Sequence, residues 1–148
     1  MPGQEDIVYR KTGILIAVLT ALMITVGAAM AGNAHYPGNP NRNPTATVSG
    51  NTIIVSGKVA GLGGEAQIHV TVTGDAQCIN PGGNAPQAAN KQTFSSDGDF
   101  PVQNGKANFE LTLTATFQPD CTPPMSLVWS NVTVSVDGYP ELTRTLIP

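Results

Sequence analysis

Histidine and cysteine are the side chains best equipped for chemistry here, and each occurs only twice in 148 residues. His35 stands in "AMAGNAHYPGNP" (29–40), where an apolar N-terminal stretch gives way to turn-forming residues. A chain cut just before it would begin with a histidine whose α-amine and Nδ1 can chelate one metal. A second imidazole would complete the three-nitrogen histidine brace, which suits tetragonal Cu(II). His69 can supply that imidazole, because alternation in "AQIHVTVT" puts it with Gln67, Thr71 and Thr73 on a polar strand face. The plainer reading of His69 is a solvent-exposed strand residue. Copper held by His35 and His69 therefore stands as the alternative to an expectation without a cofactor.

Other constellations are weaker. Asp97-Gly98-Asp99 could offer oxygens to Ca²⁺, but it lacks the EF-hand spacing and reads as an acidic turn. Glu65, Glu110 and Glu141 lie on different segments, with nothing to raise one pKa as paired-carboxylate hydrolysis requires. There is no GxSxG, and two histidines leave little from which to build a Ser/His/Asp set. No glycine-rich phosphate loop follows a strand. Asn131-Val132-Thr133 fits a glycosylation acceptor, which has meaning only in a eukaryotic secretory pathway. The expectation is a protein without catalytic activity.

Residues 13–31, "GILIAVLTALMITVGAAMA", carry no charge and follow Arg10 and Lys11. A basic flank, an apolar run and small residues beyond it form an export signal. Two cuts satisfy the small −3 and −1 positions. Ala29 and Ala31 release Gly32, whereas Gly32 and Ala34 release His35. If the segment is kept instead, at about 1.5 Å per residue it just spans a bilayer of roughly 30 Å as an anchor. Either way the flanking charges direct the rest outward, so a secreted or extracytoplasmic surface location is expected. A third possibility is a pilin-like fibre subunit with a retained helix. Lys11-Thr12-Gly13 faintly fits such a processing site, but Ile14 to Val18 lack its early acidic residue.

Cys78 and Cys121 agree with export. Two cysteines outside the cytosol usually pair, and CxxC spacing is absent. Their disulfide would close a loop of about 44 residues, worth roughly 4 kcal/mol on a chain-entropy model.

Composition excludes several classes. With 11% charged residues and a formal net charge of −3, the chain is too apolar for disorder and too acidic for nucleic acid. Lys and Arg after residue 40 are scattered singly. The 16 glycines and 12 prolines favour a turn-rich β domain.

The elements follow from alternation. Residues 35–44, "HYPGNPNRNP", lack periodicity and read as an extended arm or linker. "TATVS" and "TIIVSGKV" flank Gly50-Asn51, a tight hairpin signature. "KANFELTLTATF" alternates Ala107, Phe109, Leu111, Leu113, Ala115 and Phe117 against Glu110 and a row of threonines. In "SLVWSNVTVSV" the apolar parity slips between Leu127/Trp129 and Val132/Val134/Val136, and a bulge near Ser130-Asn131 repairs it. Asp137-Gly138-Tyr139-Pro140 turns the chain into "ELTRTLI". Residues 78–91 and 95–105 read as long loops that could form a functional rim. Six or seven strands of this kind give an all-β, Ig-like antiparallel two-sheet sandwich, preceded by the N-terminal signal or anchor helix. The organisation expected is a signal or anchor (1–34), the arm (35–44) and the sandwich (45–148).

The stretch from "VSGKVAGLGGEAQIHVTV" through "NPGGNAPQAANK" to "GDFPVQNGKANFELTLTATFQPDCTPPM" resembles a group of small exported bacterial proteins without a known activity. The resemblance spans roughly residues 48–135. Mature parts of such proteins often begin His-Phe after an Ala, and "AHYPG" matches with Tyr36 in place of the Phe. The resemblance thus favours the cut before His35 and carries over no catalytic residue. Together these readings give an exported binding or structural module. Its partner is an unknown extracellular ligand or protein, and it meets a membrane only through residues 13–31 if they are retained.

Overall fold

β-Branched runs separated by Gly, Asn and Pro build seven strands in the computed structural model, which describes residues 33–82 and 90–148. They are β1 (Thr45–Ser49), β2 (Thr52–Ala60), β3 (Gln67–Ile79), β4 (Lys91–Pro101), β5 (Lys106–Thr114), β6 (Ser126–Val136) and β7 (Tyr139–Ile147). All pairings are antiparallel, in a three-stranded sheet β1-β2-β5 and a four-stranded sheet β4-β3-β6-β7. The described residues hold no α-helix, and so no helix among them is long and apolar enough to cross a membrane. The apolar segment 13–31, with Ala31, lies outside the described residues.

The two sheets meet through the residues that alternation assigns inward. Val55 and Ile53 of β2, Val70 and Val72 of β3, Phe109 and Leu113 of β5 and Val132 and Val134 of β6 are all buried. Edge-on aromatic pairs tie the layers at both ends. Phe94 of β4 meets Phe117 at 6.0 Å and Trp129 at 5.9 Å, and Phe100 meets Phe109 at 6.0 Å. Cys78 and Cys121 form the expected disulfide, with Cα atoms 5.8 Å apart, joining the end of β3 to the β5–β6 connection.

Three expectations change. Residues 95–101 are not part of a loop: they belong to β4, which pairs with β3 over its whole length. Its inward positions are Phe94, Ser96, Gly98 and Phe100, and the pairing outweighs the turn-like Ser-Asp-Gly sequence. Asp137-Gly138 alone makes the β6–β7 turn, while Tyr139 and Pro140 already belong to β7, an edge strand that tolerates proline.

The third change concerns the arm, which is docked. β1 covers β2 only as far as Ser56, whose register partner is Thr45. Beyond it, the Asn43 amide imitates a strand: Oδ1 accepts the Lys58 N–H at 2.8 Å and Nδ2 donates to the Lys58 carbonyl at 2.9 Å. Further on, His35 and Ala60 exchange backbone hydrogen bonds, both at 2.9 Å. Residues 56, 58 and 60 point the same way by the two-residue period, so the exposed edge of β2 is closed to its end. Tyr36 crosses to the other sheet, its hydroxyl donating to the Leu142 carbonyl at 2.8 Å with Arg144 lying 5.2 Å over its ring. Burial pushes the Tyr36 hydroxyl up to about 12, against the opposing pull of Arg144.

The expected bulge is present. Thr73 pairs with Thr133 but Asp75 pairs with Ser130, so β6 carries one extra residue opposite Gly74. Asn131 takes a positive φ of 51° there, which lets both Trp129 and Val132 face the core. Asp75 holds the bulge from β3, accepting from Asn131 Nδ2 at 2.9 Å and from Thr93 Oγ1 of β4 at 2.6 Å. The bonds from Thr93 and Asn131 hold the Asp75 carboxyl below the ordinary carboxylate range. Its stabilising contribution is therefore present above the unfolded value and is lost as pH falls through the lowered one.

Asn131→Ala loses the bond to Asp75 and puts at positive φ a residue without the short polar side chain that makes this conformation tolerable, at a cost of about 2 kcal/mol in urea unfolding. Asn131→Gly loses only the bond and should cost less.

Candidate functional site

Alternation along β3 sends His69 to the outer face of the four-stranded sheet, and the register decides what it meets there. Asp99 is its direct partner on β4, and Asp97 lies opposite Thr71, one step along the same face. His69 Nδ1 lies 2.7 Å from Asp99 Oδ1, and Nε2 lies 3.4 Å from Asp97 Oδ2. On the other flank the Asp137 N–H donates to the His69 carbonyl at 3.0 Å, which brings a third carboxylate near the ring. The side chains remain open to water, at 36% exposure for His69, 60% for Asp97 and 56% for Asp99.

With a carboxylate at each ring nitrogen, the doubly protonated imidazolium can donate both of its N–H groups. The hydrogen bond to Asp99 is the main cause that raises the His69 pKa above 6.5, and the charges of Asp99, Asp137 and Asp97 add to it. A raised value means that the ion pairs contribute below the unfolded pKa and are lost as pH rises through the folded one. Exposed pairs of this kind add little stability, so their consequence is the charge pattern of the surface. Protonation changes a net-acidic patch into a more nearly balanced one.

His35 lies elsewhere. It is exposed beside the edge of β2, and its Nδ1 is 2.7 Å from the Asn33 carbonyl, which fixes that nitrogen as the N–H donor. The structure gives each imidazole its own set of oxygen partners and does not join the two rings. Among the described residues there is no group of three or more His, Cys, Asp or Glu placed to hold a metal ion. A brace at His35 would need a chain that starts there, and the cut that makes such a chain also removes Asn33 and frees Nδ1. Asp97 and Asp99, read from the sequence as an acidic turn, are strand residues turned toward His69. Nothing in "SSDGDF" signals this alone; the clue is that Phe94 and Phe100 share one parity while both aspartates share the other.

At the opposite end of β3, a groove of about 500 Å³ lies beside the disulfide, lined by Asn51, Phe117, Asp120, Cys121 and Leu127 among others. Neither histidine reaches it. No protein-family model, curated protein or solved structure matches this chain.

Across an NMR pH titration, the His69 ring protons should show a midpoint above 6.5 in the native protein. In Asp99→Asn the midpoint should fall back toward the ordinary value, and by less in Asp97→Asn. An Asp99→Asn titration that overlays the parent would remove the pairing.

Proposed function

We propose that the chain is an exported, disulfide-pinned β-sandwich that serves outside the cytosol as a binding or structural module without catalysis. The observation that carries this reading is the Cys78–Cys121 disulfide, which uses both cysteines of the chain. Disulfides form and persist in oxidising compartments and are rare where thiols are kept reduced. The apolar segment 13–31 after Arg10 and Lys11 supplies the means of export.

The outer face of the four-stranded sheet is the contact surface this reading favours. It presents His69 with Asp97 and Asp99 among threonines and serines held in register by β3, β4 and β6. A rigid sheet suits recognition, because its side chains lose little freedom when a partner docks. Partners carrying positive charge would match the patch best above the His69 titration, where three carboxylates are no longer offset.

Cell fractionation with intact-mass measurement tests the location. The full chain, produced in an export-competent bacterial host, should appear in the extracytoplasmic fraction two hydrogens lighter than its reduced form. A chain confined to the cytosol with both thiols free would contradict it.

A further inference from the structure

A mature terminus has to satisfy two conditions: the peptidase reads small residues at −3 and −1, and the product it leaves must still fold. The first test admits both Ala31 and Ala34. The folded domain does not treat them alike.

Ala34 is 6% exposed and belongs to the hydrophobic core. Gly61 stands in the left-handed region at φ +77°, and a Cβ built on it would fall on the Asn33 carbonyl. Only glycine combines that φ with room for a second backbone, so this position is shaped around Asn33. The same carbonyl faces His35 Nδ1 at 2.7 Å. The His35 N–H, as a peptide group, donates to Ala60. Cutting after Ala34 would remove a core side chain, leave the space above Gly61 empty and take away the partner of the His35 ring. It would also put a charged amine where a neutral N–H completes the edge of β2. Cutting after Ala31 keeps every one of these contacts.

Resting on the export reading above, we infer that the exported chain is processed after Ala31 and begins at Gly32. His35 then keeps a peptide nitrogen, and the amine half of a chelate is not formed there. The resemblance-based expectation of a start at His35 gives way to the packing of Asn33 and Ala34.

The test uses the full chain in an export-competent bacterial host, with intact mass and N-terminal sequencing of the extracytoplasmic material. The expected species is 32–148 with one disulfide. An external chain that begins at His35, or one that keeps residues 1–31, overturns the cut and leaves export standing. A chain found only in the cytosol overturns both. Ala31→Phe provides a second arm, since a bulky −1 residue blocks that cut while leaving Gly32 and Ala34 in place. It should abolish the processed species. Continued trimming of this variant to His35 would overturn the inference.

Discussion

A sheet edge must be paired, hidden or charged, or it becomes a template for another chain. The edge of β2 is where this molecule meets that constraint, and much of its N-terminal half follows from the solution. β1 is five residues long against nine in β2, so it leaves the far end of the edge bare. One side-chain amide and one two-residue bridge finish the work, from Asn43 and His35. That fixes the path of the arm, which brings Tyr36 to the Leu142 carbonyl and Ala34 into the core. A Pro/Asn-rich stretch thus becomes a covering for the fold.

The second constraint is parity. β6 must contribute both Trp129 and the Val132/Val134/Val136 row to the core, and a regular strand can bury only one of these sets. The extra residue at Asn131 reconciles them, and Asp75 ties it to β3 and β4. Both constraints are met by side-chain amides that act on neighbouring strands. Such residues look like turn or surface positions in sequence, and their role is set by partners far along the chain.

This explains what could be read in advance. Most strands were legible because alternation is strong in "KANFELTLTATF" and "AQIHVTVT", and the bulge was legible from the slip of parity it repairs. β4 was not: Ser-Ser-Asp-Gly-Asp has the composition of a turn, and its extended form comes from pairing with β3. With β4 unread, the meeting of His69 with Asp97 and Asp99 could not be seen, since register alone sets Asp99 opposite His69. The arm escaped for a related reason, as its pairing uses isolated residues and leaves no period to detect. The polar face of His69, by contrast, was plain from its neighbours.

The placement of Ala34 and the closure of β2 both turn on the docked arm, and the terminus proposed at Gly32 rests on it. Backbone amide hydrogen exchange on the purified protein addresses it most directly, through the His35, Lys58 and Ala60 N–H groups. If the arm is built into the sandwich, all three should be protected like the amides that join β2 to β5, exchanging only with sub-global or global opening. Exchange of all three at the rate of an open loop, while β2–β5 stays protected, would show an arm detached from the fold and contradict this description.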